Sequence, residues 1–148
     1  MSSDELAGAR LMVIEPSSDS ARLQRGDLVP HFRVDTIDGR RIEYSTIWQR
    51  RNLVLVALTE SNSAHSRTYV SQLETKCSAF QIHETECVIT RDVVAGAASP
   101  AVLIADRWGE IVYVAHVSNV ADLPRLPEIL EWVAYVQTRC PECEGETK

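Results

Sequence analysis

Two clusters of residues carry side chains suited to chemistry. Ser63-Ala64-His65-Ser66 follows closely on the apolar run Leu53-Val54-Leu55-Val56-Ala57-Leu58, and Cys140-Pro141-Glu142-Cys143 stands near the C-terminus. Two serines around a histidine supply a hydroxyl and a base, the materials of nucleophilic catalysis. Two cysteines with two residues between them supply either a dithiol that cycles with its disulfide or half of a tetrahedral zinc site.

The serine cluster lacks the geometry of a hydrolase. His65 and Ser66 are chain neighbours, and neighbours on a helix point roughly 100° apart, whereas a base must meet its nucleophile at hydrogen-bond distance. No Asp or Glu is placed to orient the imidazole, and no Gly-x-Ser-x-Gly elbow occurs. The expectation is a helix capped by Ser61 or Ser63, with His65 exposed.

The cysteine cluster leaves its alternatives open. A closed structural zinc site needs four ligands, and Cys77 and Cys87, the other two cysteines, read as small apolar fillers in a helix and a strand. Two tails of a homodimer would complete a zinc site from Cys140 and Cys143 alone. A redox dithiol on the tail needs no cofactor.

The elements that position these residues follow from periodicity. Val34 to Thr36 and Arg41 to Tyr44 flank Ile37-Asp38-Gly39-Arg40, a hairpin signal because glycine accepts the positive φ of the turn. Leu53 to Leu58 is apolar throughout, as a central strand covered on both faces must be. Tyr69, Val70, Leu73, Cys77 and Phe80 recur at helical steps and predict one helix opening at Ser63. Cys87 to Thr90 is a strand parallel to the first. Only Arg91 to Ser99 precede the strand that opens at Pro100, so that crossover holds a turn and no helix. Val102 to Ala105 and Ile111 to Val114 form a hairpin about Arg107-Trp108-Gly109. Pro127 opens a closing helix with Ile129, Leu130, Val133 and Val136 on its apolar stripe.

Three stretches resemble the redoxin group, the peroxiredoxin and thiol-disulfide oxidoreductase relatives of thioredoxin. They are Gly26-Asp27-Leu28-Val29-Pro30-His31-Phe32, the Asp38-Gly39 turn leading to Ile42-Glu43-Tyr44-Ser45, and Ser99-Pro100 followed by Val102 to Tyr113. The resemblance implies an α/β thioredoxin-like fold over roughly residues 26–138. Its parts would be a central mixed sheet flanked by helices, an N-terminal hairpin and a reduced crossover before the proline strand. Residues 1–25 form an N-terminal arm with an apolar patch at Leu11 to Ile14, and residues 139–148 a tail carrying the CxxC. The resemblance also implies that Ser63 and Ser66 occupy the positions of the reactive cysteines and that Pro100 is the cis proline facing them. A serine has no redox couple, so on this reading the active site is degenerate. The peroxiredoxin arginine that precedes the proline strand is missing too, because Pro100 fills its place.

Composition narrows the function classes. With 148 residues the chain is of single-domain size, and its net charge of −6 offers no footprint for nucleic acid or anionic lipid. The pairs Arg40-Arg41 and Arg50-Arg51 read as solvated turn positions. No apolar run approaches the ~20 residues of a membrane span, and an acidic Met1-Ser2-Ser3-Asp4-Glu5 start is unlike a signal peptide, so a cytoplasmic location is expected. The leading expectation is a redoxin-like protein that binds a protein or peptide partner at Ser63, His65, Ser66 and Pro100 without cysteine catalysis there and without a cofactor. The alternatives are a thiol-disulfide oxidoreductase acting through Cys140 and Cys143, and an assembly module in which the same pair binds zinc.

Overall fold

The computed structural model describes residues 22–59, 63–97 and 99–138, with the side chain of Cys77 excepted. Strands β1 (Arg33–Asp35) and β2 (Arg41–Glu43) form the N-terminal hairpin, with Gly39 at φ +92° in its turn. The main sheet holds β3 (Asn52–Ala57), β4 (Thr85–Thr90), β5 (Ala101–Ala105) and β6 (Ile111–His116) in the order β4-β3-β5-β6. It is mixed: β3 runs parallel to β4 and antiparallel to β5. Helices α1 (Ala64–Glu74), α2 (Cys77–Ile82) and α3 (Leu126–Thr138) complete the fold.

Every residue of β3 and β5 is buried, which is why both read as unbroken apolar runs. Their alternating side chains feed two cores. Val54, Val56, Val102 and Ile104 face Val70 and Leu73 of α1, Phe80 of α2 and Ile129, Val133 and Val136 of α3. Leu53, Leu55, Leu103 and Ala105 face the other way, onto Val29, Phe32, Val34, Tyr44, Ile47, Val94 and Ala97. All three helices therefore lie on one face. The second face is closed by the hairpin and by the helix-free crossover, whose Val94 and Ala97 pair in a tight turn.

The single helix predicted from Ser63 through Phe80 is in fact two. Lys76 leaves helical geometry at φ −112°, ψ 19° between α1 and α2, and the Thr75 hydroxyl donates to the carbonyl of Gln72 at 2.7 Å. Threonine bonding back to the preceding turn competes with helix continuation. Phe80 still reaches the same core as Val70 and Leu73, as its place on the apolar stripe requires. The arginine pairs also differ from expectation. Arg40 and Arg51 converge on Glu86 of β4 at 3.2 and 3.1 Å, linking the hairpin turn and the start of β3 to the sheet edge. All three are solvent-accessible, so each pair contributes about 0–1 kcal/mol.

Tyr44 anchors the hairpin face. Its ring is fully buried and stacks on Phe32 at 5.3 Å, while its hydroxyl, among the described residues, has no hydrogen-bond partner. A Cβ on Gly109, which sits at φ +89°, would stand 3.3 Å from that hydroxyl. Burial, and secondarily the Asp106 carboxylate, push the Tyr44 pKa up from 10.0 to about 12. The neutral phenol is thus favoured in the folded state. Its contribution to stability is present in full below pH ~10 and is lost at about 1.4 kcal/mol per pH unit as the pH rises to ~12. Tyr44→Phe removes both the unpaired hydroxyl and this dependence. Urea midpoints at pH 7, 9 and 11 should show equal or greater stability at pH 7, by up to about 1 kcal/mol, and a shallower alkaline decline. A loss of more than about 1 kcal/mol at pH 7 would show that the hydroxyl is satisfied in solution.

Candidate active-site cleft

Ser63 is the N-cap of α1. Its Oγ accepts the backbone N–H of Ser66 at 3.1 Å and donates to the Ser66 Oγ at 3.0 Å. Of the two capping serines the sequence allowed, Ser63 does the work, and Ser61 lies outside the described residues. Ser66 is fully buried, whereas Ser63 and His65 are exposed. No described hydrogen bond joins His65 to either serine, so the base and hydroxyl of a Ser-His couple are not assembled. The expectation of a serine-capped helix with an exposed histidine holds.

Pro100 follows a cis peptide bond from Ser99. The register that sets Ala57 opposite Ala101 brings the end of β3 beside the start of β5. The Ser99 Oγ accepts from the Thr59 backbone N–H at 2.8 Å and donates to the Ala57 carbonyl at 3.1 Å. On the other side the Pro100 carbonyl accepts from the Val117 N–H at 3.1 Å, and β6 runs on into the turn at Ser118 and Asn119.

These segments enclose a cleft of about 300 Å³. Thr59, Ser63, Ser66, Ser99, Ser118 and Asn119 supply hydroxyls and one amide, and Leu58, Pro100 and Val120 supply apolar surface. Among the described residues, the lining contains no ionisable side chain. A second depression of about 200 Å³ meets the first at Val120 and carries His65, Tyr69, Leu123 and Arg125. The Tyr69 hydroxyl donates to the Pro124 carbonyl at 2.6 Å, and burial pushes its pKa well up, so it stays neutral as it ties α1 to the segment before α3.

Ser63, Ser66 and Pro100, three of the four positions expected at the degenerate site, share one cleft, and His65 lies in the adjoining depression. Thr59 and Ser99 were missed although each adjoins a recognised element, and that adjacency was the available signal. Ser118, Asn119 and Val120 arrive from the end of β6 through tertiary structure alone. Cys140 and Cys143 lie outside the described residues, as does the Leu11 to Ile14 patch. Cys87 is half-buried against the helix-side core, as a small filler would be. Among the described residues there is no group of three or more His, Cys, Asp or Glu side chains able to hold a metal, and no helix is long and apolar enough to cross a membrane.

The architecture is that of peroxiredoxins. A reduced 2-Cys peroxiredoxin of Plasmodium vivax superposes with a TM-score of 0.62 at 12% identity, covering 78% of this chain and 82% of that one. AhpC of Mycobacterium tuberculosis gives 0.61 at 10% identity over 79% and 94% of the two chains. A peroxiredoxin-like protein from Aquifex aeolicus gives 0.52 at 16% identity over 78% and 88%. No protein-family profile and no curated protein sequence matches the chain. The chain therefore has the thioredoxin-like fold in its peroxiredoxin-like form, and identity this low speaks for the fold alone.

If the helix start retains the electrostatics of a redox site, sulfur placed there should respond. With the two Oγ atoms 3.0 Å apart, Ser63→Cys with Ser66→Cys should form an intramolecular disulfide under mild oxidation. In the single variant Ser63→Cys, the thiol pKa should fall below the free value of ~8.5, because the α1 N-terminus favours the thiolate. Thiolate absorbance against pH gives the answer, and a value at or above ~8.5 would contradict this account of the cleft.

Proposed function

We propose that the protein is a redoxin-fold binding protein, whose cleft beside Pro100 and Ser63 takes an extended polypeptide segment without exchanging disulfides at that site. The observation that carries the reading is the continuity of the groove. A hydroxyl-lined cleft, without ionisable side chains among the described residues, runs across Val120 into a depression with apolar walls and two basic side chains, His65 and Arg125. Extended chain advances about 3.3 Å per residue, so a few residues would bridge the two halves. At the cleft end the Ser99 backbone N–H and carbonyl have no partner among the described backbone bonds. Extended ligands pair with such groups by strand addition.

A reduced, alkylated and therefore thiol-free unstructured peptide tests the reading without redox chemistry. Its titration should move the backbone amide resonances of Thr59, Ser99 and Val120 together and saturate. Val120→Lys, at a partly exposed position shared by both halves, should weaken binding at least about ten-fold, equivalent to ~1.4 kcal/mol, in protein that keeps its native amide dispersion. Shifts confined to other surfaces would refute the groove.

Any thiol-disulfide turnover is assigned to the tail, since the α1 site holds no sulfur. Replacing Cys140 and Cys143 by Ser should reduce insulin reduction and peroxide consumption to background. Elemental analysis of the freshly reduced wild type separates the zinc alternative, which requires one zinc per two chains and dissociation of a dimer on chelation. Substantial turnover by the double variant would overturn the view of Ser63 and Ser66 as chemically silent.

A further inference from the structure

Helix α3 buries Ile129, Val133 and Val136, packs Trp132 at the edge of the core, and leaves Glu128, Glu131 and Tyr135 exposed. Glu128, Glu131, Trp132 and Tyr135 recur at three- and four-residue spacing, so they share one face. With Arg25 they line an open depression of about 530 Å³, remote in its lining from the Pro100 groove. The aromatic surface there is built from three rings. Tyr113 of β6 packs against Trp132 at 5.2 Å, and Trp132 meets Tyr135 at 5.7 Å with their planes at 87°. Tyr135 is 46% exposed.

Charge decides what such a surface attracts. Aromatic faces carry negative electrostatic potential, and two exposed carboxylates border them. Among the described residues neither Glu128 nor Glu131 takes part in a salt bridge, and none joins either of them to Arg25. Glu128 lies close enough to the Tyr113 phenol to help burial raise its pKa, which places a negative charge beside the ring cluster.

We propose that this depression is a binding site for an organic cation, an alkylammonium or guanidinium group seated on Trp132 and Tyr135 and neutralised by Glu128 and Glu131. Arg25 sets the selectivity. Its like charge opposes a simple cation and favours one that carries an anionic group some distance from the cationic head. The same chemistry is offered by a free small molecule and by a lysine or arginine side chain of a partner protein.

The test follows the Trp132 indole N–H resonance, assigned by Trp132→Phe, during titration with tetramethylammonium chloride. Sodium chloride at equal ionic strength and tert-butanol as the neutral isostere serve as controls. A saturable shift with a dissociation constant on the order of millimolar is expected, absent with both controls. The exposed charges give opposite signs: Glu131→Gln should weaken binding roughly three-fold and Arg25→Gln should strengthen it by a similar factor. A merely structural role for these residues would not produce that inversion. Methylguanidinium binding as tightly as an unstructured peptide with one arginine identifies a free cation, and tighter peptide binding identifies a protein-borne side chain; both uphold the site. An equal shift with tert-butanol, a shift that never saturates, or indifference to Glu131→Gln overturns it.

Discussion

The fold depends on one constraint, the burial of β3 and β5 on both faces. Because consecutive strand residues point to opposite sides, Val54 and Val56 belong to the helix-side core while Leu53 and Leu55 belong to the hairpin-side core. A slip of one residue would exchange the two sets, pressing the wrong side chains against α1 and α3 and against Tyr44 and Phe32. Register is therefore held from both sides at once. The cleft inherits that register: Ala57 opposite Ala101 is what brings Thr59 within hydrogen-bond reach of Ser99 and sets Pro100 beside the start of α1.

Serine at the start of α1 is compatible with the scaffold because the position has two separable duties. One is to satisfy a backbone N–H of the first helical turn, and Ser63 does this through its Oγ. The other, in a redox protein, is to hold a thiolate, which a hydroxyl cannot replace. Ser63 meets the first duty, and its hydroxyl has no redox couple with which to meet the second. Among the described residues, the hydroxyls of the cleft are tied to one another and to the ends of β3 and β5.

Helix α3 shows how one short element serves two surfaces. Ile129, Val133 and Val136 close the core over β3 and β5, and Gln137 accepts from the Asn52 side chain at 2.9 Å, tying the helix to the start of β3. Its other face combines rings and carboxylates in a way that core packing does not require. A helix held so firmly from below can present Trp132 and Tyr135 at fixed positions, and such fixing lowers the entropic cost of gathering a ligand.

Apolar runs and turn residues by themselves determined the strands, the hairpin at Asp38-Gly39, the shortened crossover and the closing helix, because each is a local pattern with a local physical cause. Leu53 to Leu58 has to be covered on two faces wherever it lies, and Ser63 caps a helix whatever packs above it. Tertiary structure alone decided the break at Thr75-Lys76, because the apolar spacing from Val70 to Phe80 is the same for one helix and for two. It also decided the convergence of Arg40 and Arg51 on Glu86, and the joining of Ser118, Asn119 and Val120 to Ser63 and Pro100. Those residues are far apart along the chain, and the distance between them is set by strand register and helix packing, quantities that no single segment contains.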